Sequence, residues 1–273
     1  MVINIFFFKV AIGIYFLSTA SFLYYLVSRR EWPKRFSFGI TGIGFLSHTV
    51  ALIIRTIEAS HIPITNLHEA ISFLSWALVL AFLLIEYKYR IYVLGSFVVP
   101  LAFISLISSA ALPMEIKMLD PMLQSAWLGV HTIFAVLGAA AFSIAFLAGL
   151  MYLIQEWLLK SKRFNVLYYK MPSLDILDDL NYRAISFGFP LLTLGMITGS
   201  IWAEYAWGTY WNWDPKQTWS LIVWLFYAAM LHGRLSVGWR GKKAAYLAIL
   251  GFAGVVFTFV GVNMLLQGKH TFL

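Results

Sequence analysis

The sequence predicts an all-α, polytopic integral membrane protein with about eight transmembrane helices. Hydrophobic residues make up 61% of the 273 residues, charged residues only 12%, and the mean hydropathy is +0.79. This composition is too apolar for a soluble domain. Eight apolar runs reach the roughly 20 residues that a helix needs to cross a bilayer. Basic residues are concentrated between alternate runs.

The predicted spans follow one another with little chain between them. They cover residues 3–27, 37–57, 67–86, 91–112, 125–156, 184–204, 217–235 and 244–266. The first run is too long for a cleavable signal peptide and lacks a basic leader, so we expect it to be a span. The longest polar stretch, residues 158–183, is expected to be a loop in which SLDILDDL could form a short surface helix. We expect one domain over residues 1–273.

The distribution of Lys and Arg predicts which side of the membrane each loop faces. Fifteen of the 20 basic residues lie in the loops after the first, third, fifth and seventh runs. Cytoplasmic loops are rich in Lys and Arg, so these loops are predicted to be cytoplasmic and both termini to face outward. The remaining basic residues are Lys9, Arg55, Lys117, Lys216 and Lys269. The net charge of +8 therefore reflects topology and does not indicate nucleic-acid binding. All acidic residues map near span ends, which argues against a proton-coupled pump.

An outward-facing loop at about residues 202–219 is unusually rich in tryptophan. It contains Trp202, Trp207, Trp211, Trp213 and Trp219. An aromatic belt would scatter such residues over several helix ends, whereas a cluster in one loop indicates a surface for a large, flat, partly apolar ligand such as haem. Asp214 and Lys216 in the same loop could orient haem propionates or cap the loop, and the sequence leaves both roles open.

Two histidines far apart in sequence are expected to reach the face that carries this loop. His131 lies about two turns into the fifth span, and His270 follows the eighth. Imidazole is a good ligand for haem iron, so the pair could bind one iron from both sides, although either histidine alone would be an ordinary interfacial residue. His232 lies roughly 22 Å down the seventh span and is either an intramembrane ligand or an inner-boundary residue. His48, in mid-span, is expected to hydrogen-bond a neighbouring helix and is a reserve ligand.

The start of the third span contains a second polar motif. His61 and His68 lie close to it, Asn66 is placed to cap the helix, and Glu69 falls in its first turn. The chain has no cysteine, so it supplies neither a thiolate ligand nor a thiol relay.

Three segments carry a family resemblance. WGTYWNWDPKQTWSLIVWLFYAAMLHGR joins a WWD motif to a YxxxLHxR helix, PITNLHEAISFLSW matches a second-loop motif, and VNMLLQGKHTF matches a C-terminal histidine motif. With these motifs most of the chain resembles the CcsA family (also called ResC) of cytochrome c biogenesis, system II, within the wider haem-handling group that includes CcmC and CcmF. It departs from the family at His68, where tyrosine is usual, and at Gln217, where glutamate is common.

The resemblance implies a site and a reaction. His131 and His270 would be the outward-facing ligands of haem b, His232 would be a transmembrane haem ligand, and the haem-binding segment would contain Trp207, Trp211, Trp213 and Asp214. The family pairs the transmembrane ligand with a histidine of a partner, CcsB (ResB). The implied protein is half of a cytochrome c synthase (haem lyase) that presents haem to the CxxCH thiols of apocytochrome c, in a bacterial cytoplasmic membrane or a thylakoid membrane.

Other functions stay open at this point. Haem delivery without attachment, as in CcmC, is the closest alternative. A b-type cytochrome subunit that passes electrons would need histidines paired at matching depth, which only the outer pair satisfies. A solute transporter ranks last, because no midplane charge accompanies Pro100 and Pro190.

Overall fold

The computed structural model describes residues 2–116 and 123–265, and every regular element in these ranges is helical. Eight helical segments of the described residues are long and apolar enough to cross a membrane, which confirms the predicted fold class and number of spans. Three of them include short 3₁₀ or π-helical turns beside an α-helix, at Tyr92–Leu94, Gly233–Val237 and Phe257–Gly261. The orientation of the termini stays a prediction. The helices are α1 (Val2–Val27), α2 (Trp32–Ala59), α3 (Leu67–Tyr89), α4 (Gly95–Ala110), α5 (Ala126–Lys160), α6 (Val166–Lys170), α7 (Leu174–Trp207), α8 (Pro215–His232), α9 (Lys242–Val256) and α10 (Val262–Leu265).

Two helices begin at least five residues earlier than the sequence predicted. Helix α2 starts at Trp32 and not at residue 37, with Pro33 in its first turn, where the fixed φ of proline suits a helix. Helix α7 starts at Leu174, ten residues before the predicted start at residue 184. SLDILDDL is therefore not a separate surface helix but the first turns of α7, since neither Gly nor Pro interrupts the chain before Gly188.

The described residues fall into two compact units. The first contains residues 2–63, 68–116 and 154–173, and thus helices α1, α2, α4 and α6 with nearly all of α3 and the last turns of α5. Its α2 buries a polar face and exposes an apolar one. The exposed apolar side chains include Ile43, Leu46, Ile53 and Ile57. The buried residues, here called the polar face of α2, are Pro33, Ser37, Thr41, Gly44, His48, Ala51 and Arg55.

Hydrogen bonds from the polar face of α2 connect it to its neighbours. Thr41 Oγ1 lies 2.5 Å from Ser18 Oγ of α1, and His48 Nε2 lies 3.0 Å from Ser72 Oγ of α3. Such bonds between membrane helices contribute about 0.6 kcal/mol each on average. The expectation that His48 bonds to a neighbouring helix is confirmed.

The second unit contains residues 64–67, 123–153 and 174–265, and its core forms where α5, α7, α8 and α9 meet. The rings of Phe142 and Tyr227 stack 3.8 Å apart in this core. Small residues allow close backbone approach: a Cβ added at Gly149 would lie 3.0 Å from the carbonyl oxygen of Ala245. Asn181 of α7 donates to the carbonyl of Ala145 at 2.7 Å.

Two helices of this unit continue into π-helical segments. One covers Gly233–Val237, directly after α8, and the other covers Phe257–Gly261, directly after α9. Segments of this type are rare and are frequent at functional sites. The first one immediately follows His232, one of the predicted ligands.

Candidate functional site

The non-helical part of the tryptophan-rich loop is shorter than predicted. Trp202 and Trp207 lie in α7 and Trp219 lies in α8, so only residues 208–214 connect the two helices. Helix α7 ends because Gly208 adopts a φ of +72°, and its N–H bonds to the carbonyl of Glu204 at 2.8 Å. We call residues 208–214 the connecting loop.

Asp214 closes the connecting loop by capping α8. Its Oδ1 accepts a hydrogen bond from the backbone N–H of Lys216 at 3.0 Å, and Pro215 occupies the first turn. The N–H of Asp214 in turn donates to Asn212 Oδ1 at 3.1 Å, and the N–H of Asn212 donates to Gln217 Oε1 at 3.0 Å. Capping, one of the two roles left open by the sequence, is therefore present in the structure.

The tryptophans of the segment occupy different environments. Trp202 is 1% exposed, and its ring packs edge-on against that of Trp207 at 4.9 Å. Trp211 and Trp213 form a second edge-on pair at 5.7 Å, and Trp213 is 68% exposed. Trp219 packs against Phe257, with ring centroids 4.5 Å apart. The segment thus combines a buried indole with one that is displayed at the surface.

Trp213 also has an unusual backbone conformation. Its φ of +56° lies in the left-handed region, which costs a residue other than glycine about 1–3 kcal/mol. Thr218 Oγ1 donates to its carbonyl at 3.2 Å. The loop therefore holds an exposed aromatic residue in a strained conformation.

Two donors in the connecting loop are buried without a hydrogen-bond partner among the described residues. They are Trp211 Nε1 and Asn212 Nδ2. Buried polar groups are nearly always paired, and an N–H group can only donate. These two groups are suited to an acceptor such as a carboxylate.

His131 has a defined tautomer. The half-buried imidazole lies on α5, and its Nδ1 is 2.7 Å from the carbonyl oxygen of Gly195 on α7. A carbonyl oxygen only accepts, so Nδ1 carries the hydrogen and Nε2 keeps its lone pair. Histidines that bind metals commonly make this bond, because it orients the ring and leaves Nε2 as the ligand.

The position of His131 depends on a glycine of α7. A Cβ added at Gly199 would lie 2.6 Å from Nδ1 of His131 and 2.8 Å from its Cε1, closer than side chains ever approach. Trp202 follows Gly199 by one turn of α7. The imidazole therefore lies one turn from the buried tryptophan of the segment.

His232 is the last residue of α8, about 26 Å along the helix from Pro215. Its side chain is exposed, and no hydrogen bond joins it to another residue within the described ranges. His131 and His232 lie at opposite ends of the second unit, as the sequence predicted from their depths.

His270 lies outside the described residues, so its pairing with His131 stays a prediction. The remaining histidines belong to the first unit. His68 Nδ1 bonds to the carbonyl oxygen of Ser109 at 2.8 Å, and its ring packs 5.3 Å from that of Phe8. The buried Nδ1 of His48 has no partner among the described residues.

An ion pair in the first unit was missed by the sequence reasoning. Arg55 Nε donates to Glu69 Oε1 at 2.8 Å, and the side chains are only 6% and 1% exposed. The sequence explained Glu69 by its place in the first turn of a helix and indicated no partner for Arg55. Arg55 lies seven residues after His48, on the same face of α2, and this spacing could have indicated that Arg55 is buried.

Comparisons with known proteins define the class. The model of the cytochrome c assembly protein family matches residues 64–270. The cytochrome c biogenesis protein CcsA of Guillardia theta is 39% identical over 254 residues, which cover 86% of this chain and 84% of that protein. The CcsA protein of Prochlorococcus marinus strain AS9601 is 38% identical over 247 residues, which cover 82% and 80%. This chain belongs to the CcsA family of cytochrome c assembly proteins.

A solved structure shares the fold. The cytochrome c haem lyase CcmF superposes with a TM-score of 0.70 over 94% of this chain, at 17% sequence identity. The present chain spans only 46% of the length of that protein. The similarity therefore establishes the arrangement of helices and nothing about individual side chains.

Proposed function

We propose that this chain is the haem-presenting half of a cytochrome c synthase. It holds haem b at the outer membrane face and offers it to apocytochrome c for covalent attachment. The chain belongs to a family of cytochrome c assembly proteins, and its helices can span a membrane. The observation that carries the proposal is the imidazole of His131, whose bond to Gly195 leaves Nε2 available as an iron ligand.

The described side chain of His131 suits a haem that is ligated by two histidines. Nε2 of His131 would supply one iron ligand, and His270 would supply the other. Two imidazole ligands would leave no open site on the iron for oxygen. Because Gly195 and Gly199 have no side chain, α5 can approach α7 closely and the imidazole ring of His131 has space.

The connecting loop supplies the remaining contacts. Trp207, Trp211 and Trp213 provide aromatic surface for the porphyrin. Trp211 Nε1 and Asn212 Nδ2 would donate to a propionate carboxylate, which would give these buried groups the acceptor that the described residues do not provide. Asp214 acts indirectly, because its carboxylate caps α8 and maintains the shape of the loop.

The attachment reaction itself needs little chemistry from the protein. Each thiol of the CxxCH motif adds across one vinyl group: sulfur bonds to one vinyl carbon and hydrogen to the other, and no oxidant is consumed. The task of this chain is therefore to orient the haem vinyl groups toward the thiols, so that a bimolecular reaction becomes effectively unimolecular. The chain has no cysteine, so both thiols come from the client.

His232 has a second ligand role in this proposal. Its exposed imidazole at the other end of the second unit pairs with a histidine of a CcsB (ResB) partner and binds haem before its transfer to the outer site. The complex resides in a bacterial cytoplasmic membrane or a thylakoid membrane. The whole chain, residues 1–273, serves as one haem-handling domain.

The test compares haem spectra of purified proteins. Wild type, His131→Ala and His270→Ala are purified in mild detergent with the partner, and His61→Ala serves as the control, because its ring lies in the first unit. We expect each of the first two variants to lose the low-spin signal of the outer haem and to regain it with added imidazole, while haem bound between His232 and the partner keeps its own low-spin signal. Unchanged haem in both variants would overturn the outer site.

A second measurement separates attachment from delivery. The chain, its partner and an apocytochrome with a CxxCH motif are expressed together, and covalent haem is detected on the denatured cytochrome. Covalent product that depends on His131 supports the synthase. Haem release to the client without a thioether bond would identify a delivery protein.

A further inference from the structure

The π-helical segment after His232 is held by an ion pair that no proposed ligand role uses. Arg234 Nη2 donates to Asp178 Oδ2 at 2.6 Å, and Nη1 donates to Oδ1 at 2.9 Å. The two side chains are 12% and 14% exposed. This two-point geometry is the strong form of an arginine–carboxylate pair, and it fixes direction as well as distance.

The same carboxylate also fixes the turn that leads to α9. Asp178 Oδ1 accepts a third hydrogen bond from the backbone N–H of Gly241 at 2.7 Å. The guanidinium of Arg234 additionally lies over the ring of Tyr182 at 4.9 Å. One residue near the start of α7 thus joins the end of α8 to the beginning of α9.

Packing restricts the residue next to His232 as well. A Cβ added at Gly233 would lie 2.4 Å from the indole ring of Trp239, so only glycine fits there. The N–H of Trp239 bonds to the carbonyl of Gly233 at 3.1 Å. The main chain that follows His232 is therefore fixed at both of the next two residues.

From these contacts we infer that Asp178 and Arg234 are positioning residues for His232. They fix the main chain next to His232 and thereby the direction in which its imidazole points. Neither residue needs to touch haem. The inference depends on the proposed ligand role of His232. An exposed ligand at a helix end lacks surrounding packing to orient it, so its orientation must come from the backbone on either side.

The first test measures the geometry of the turn without haem. The chain has no cysteine, so two cysteines introduced together at the exposed positions Val237 and Leu250 can carry a pair of spin labels without background labelling. We expect a narrow distance distribution in wild type and a broadened one in Asp178→Asn and Arg234→Lys. The latter keeps the charge but loses the two-point geometry.

The matched control is a nearby ion pair on the same helix. Arg183 Nε donates to Asp179 Oδ2 at 2.6 Å, but these side chains are 60% and 51% exposed. Arg183→Gln should keep the wild-type distribution. Asp178→Glu, which keeps the carboxylate, should restore a narrow distribution relative to Asp178→Asn.

The second test measures the ligand itself in the complex with the partner. The electron paramagnetic resonance spectrum of low-spin ferric haem depends on the orientation of its imidazole ligands. We expect Arg234→Lys to shift its resonances and to weaken haem affinity roughly ten- to hundredfold, whereas Arg183→Gln should change neither. A general loss of structure would lower haem content without shifting the resonances of the haem that remains, and would overturn the inference.

The outcomes separate this inference from the proposed function. If His232→Ala leaves haem unchanged, the ligand role of His232 is wrong, and the spin-label distances still report whether the ion pair orders the turn. If His232→Ala removes haem while Arg234→Lys and Asp178→Asn change neither distances nor resonances, the positioning role is wrong and the ligand role stands.

Discussion

Replacing Gly199 by alanine should displace the imidazole of His131 and weaken its binding to haem iron, although the histidine itself is unchanged. The added Cβ would lie 2.6 Å from Nδ1, whereas ordinary contacts begin near 3.4 Å, so the ring must retreat by about 0.8 Å. The carbonyl that accepts from Nδ1 belongs to Gly195 of the same helix α7, so this movement lengthens a 2.7 Å hydrogen bond to about 3.5 Å and breaks it.

The expected loss of stability follows from three contributions. Overpacking costs about 1–3 kcal/mol, and the lost hydrogen bond costs about 0.5–1.5 kcal/mol. Alanine is the better helix former by about 0.5–1 kcal/mol, which offsets part of this. The net loss is about 2 kcal/mol, equivalent to a thermal midpoint lower by roughly 4–8 °C for a chain of this size.

The control is Gly42→Ala in α2, where no atom lies within 4 Å of the added Cβ. We expect this variant to be as stable as wild type or slightly more so. The assays are thermal unfolding in detergent and the low-spin signal of the outer haem, which Gly199→Ala should lose and added imidazole should restore. Equal stability and equal haem in the two alanine variants would refute the structural reasoning about His131.

Three further changes test other parts of the molecule. Asp214→Asn should keep the cap of α8 and leave haem content unchanged, whereas Asp214→Ala should cost about 1 kcal/mol in thermal unfolding; haem loss in the asparagine variant would instead indicate a role for the charge. Trp213→Gly should relieve about 1–3 kcal/mol of backbone strain and raise the midpoint while weakening haem binding, and an unchanged midpoint would show that the strain is absent. Glu69→Gln should leave Arg55 buried without its counterion and cost about 3–5 kcal/mol; a cost below about 1 kcal/mol would show that water reaches the guanidinium.

Features that depend on local sequence were predictable. Apolar length identified eight spans, and Asp214 followed by Pro215 marked the start of a helix. The depth of His131 followed from its distance to the start of α5. The starts of α2 and α7 were missed because charged residues in the first turns of both helices resemble a loop when only hydropathy is considered.

Features that depend on tertiary register were not predictable. Asp178 and Arg234 are 56 residues apart, and neither residue alone indicates that the other is its partner. The tautomer of His131 likewise depends on which carbonyl of α7 lies opposite the ring, a matter of helix rotation and translation of about an ångström. Periodicity identifies which residues share a helix face, but it does not identify the residue across the interface.

The polar face of α2 has a consequence for how the chain enters the membrane. A helix that inserted alone would expose Thr41 and His48 to lipid tails, and it would leave Arg55, near its end, without a counterion. These side chains find their partners on α1 and α3, and α3 is synthesised only after α2. We therefore expect α2 to stay beside the insertion machinery until α3 emerges, so that the three helices move into lipid as a group.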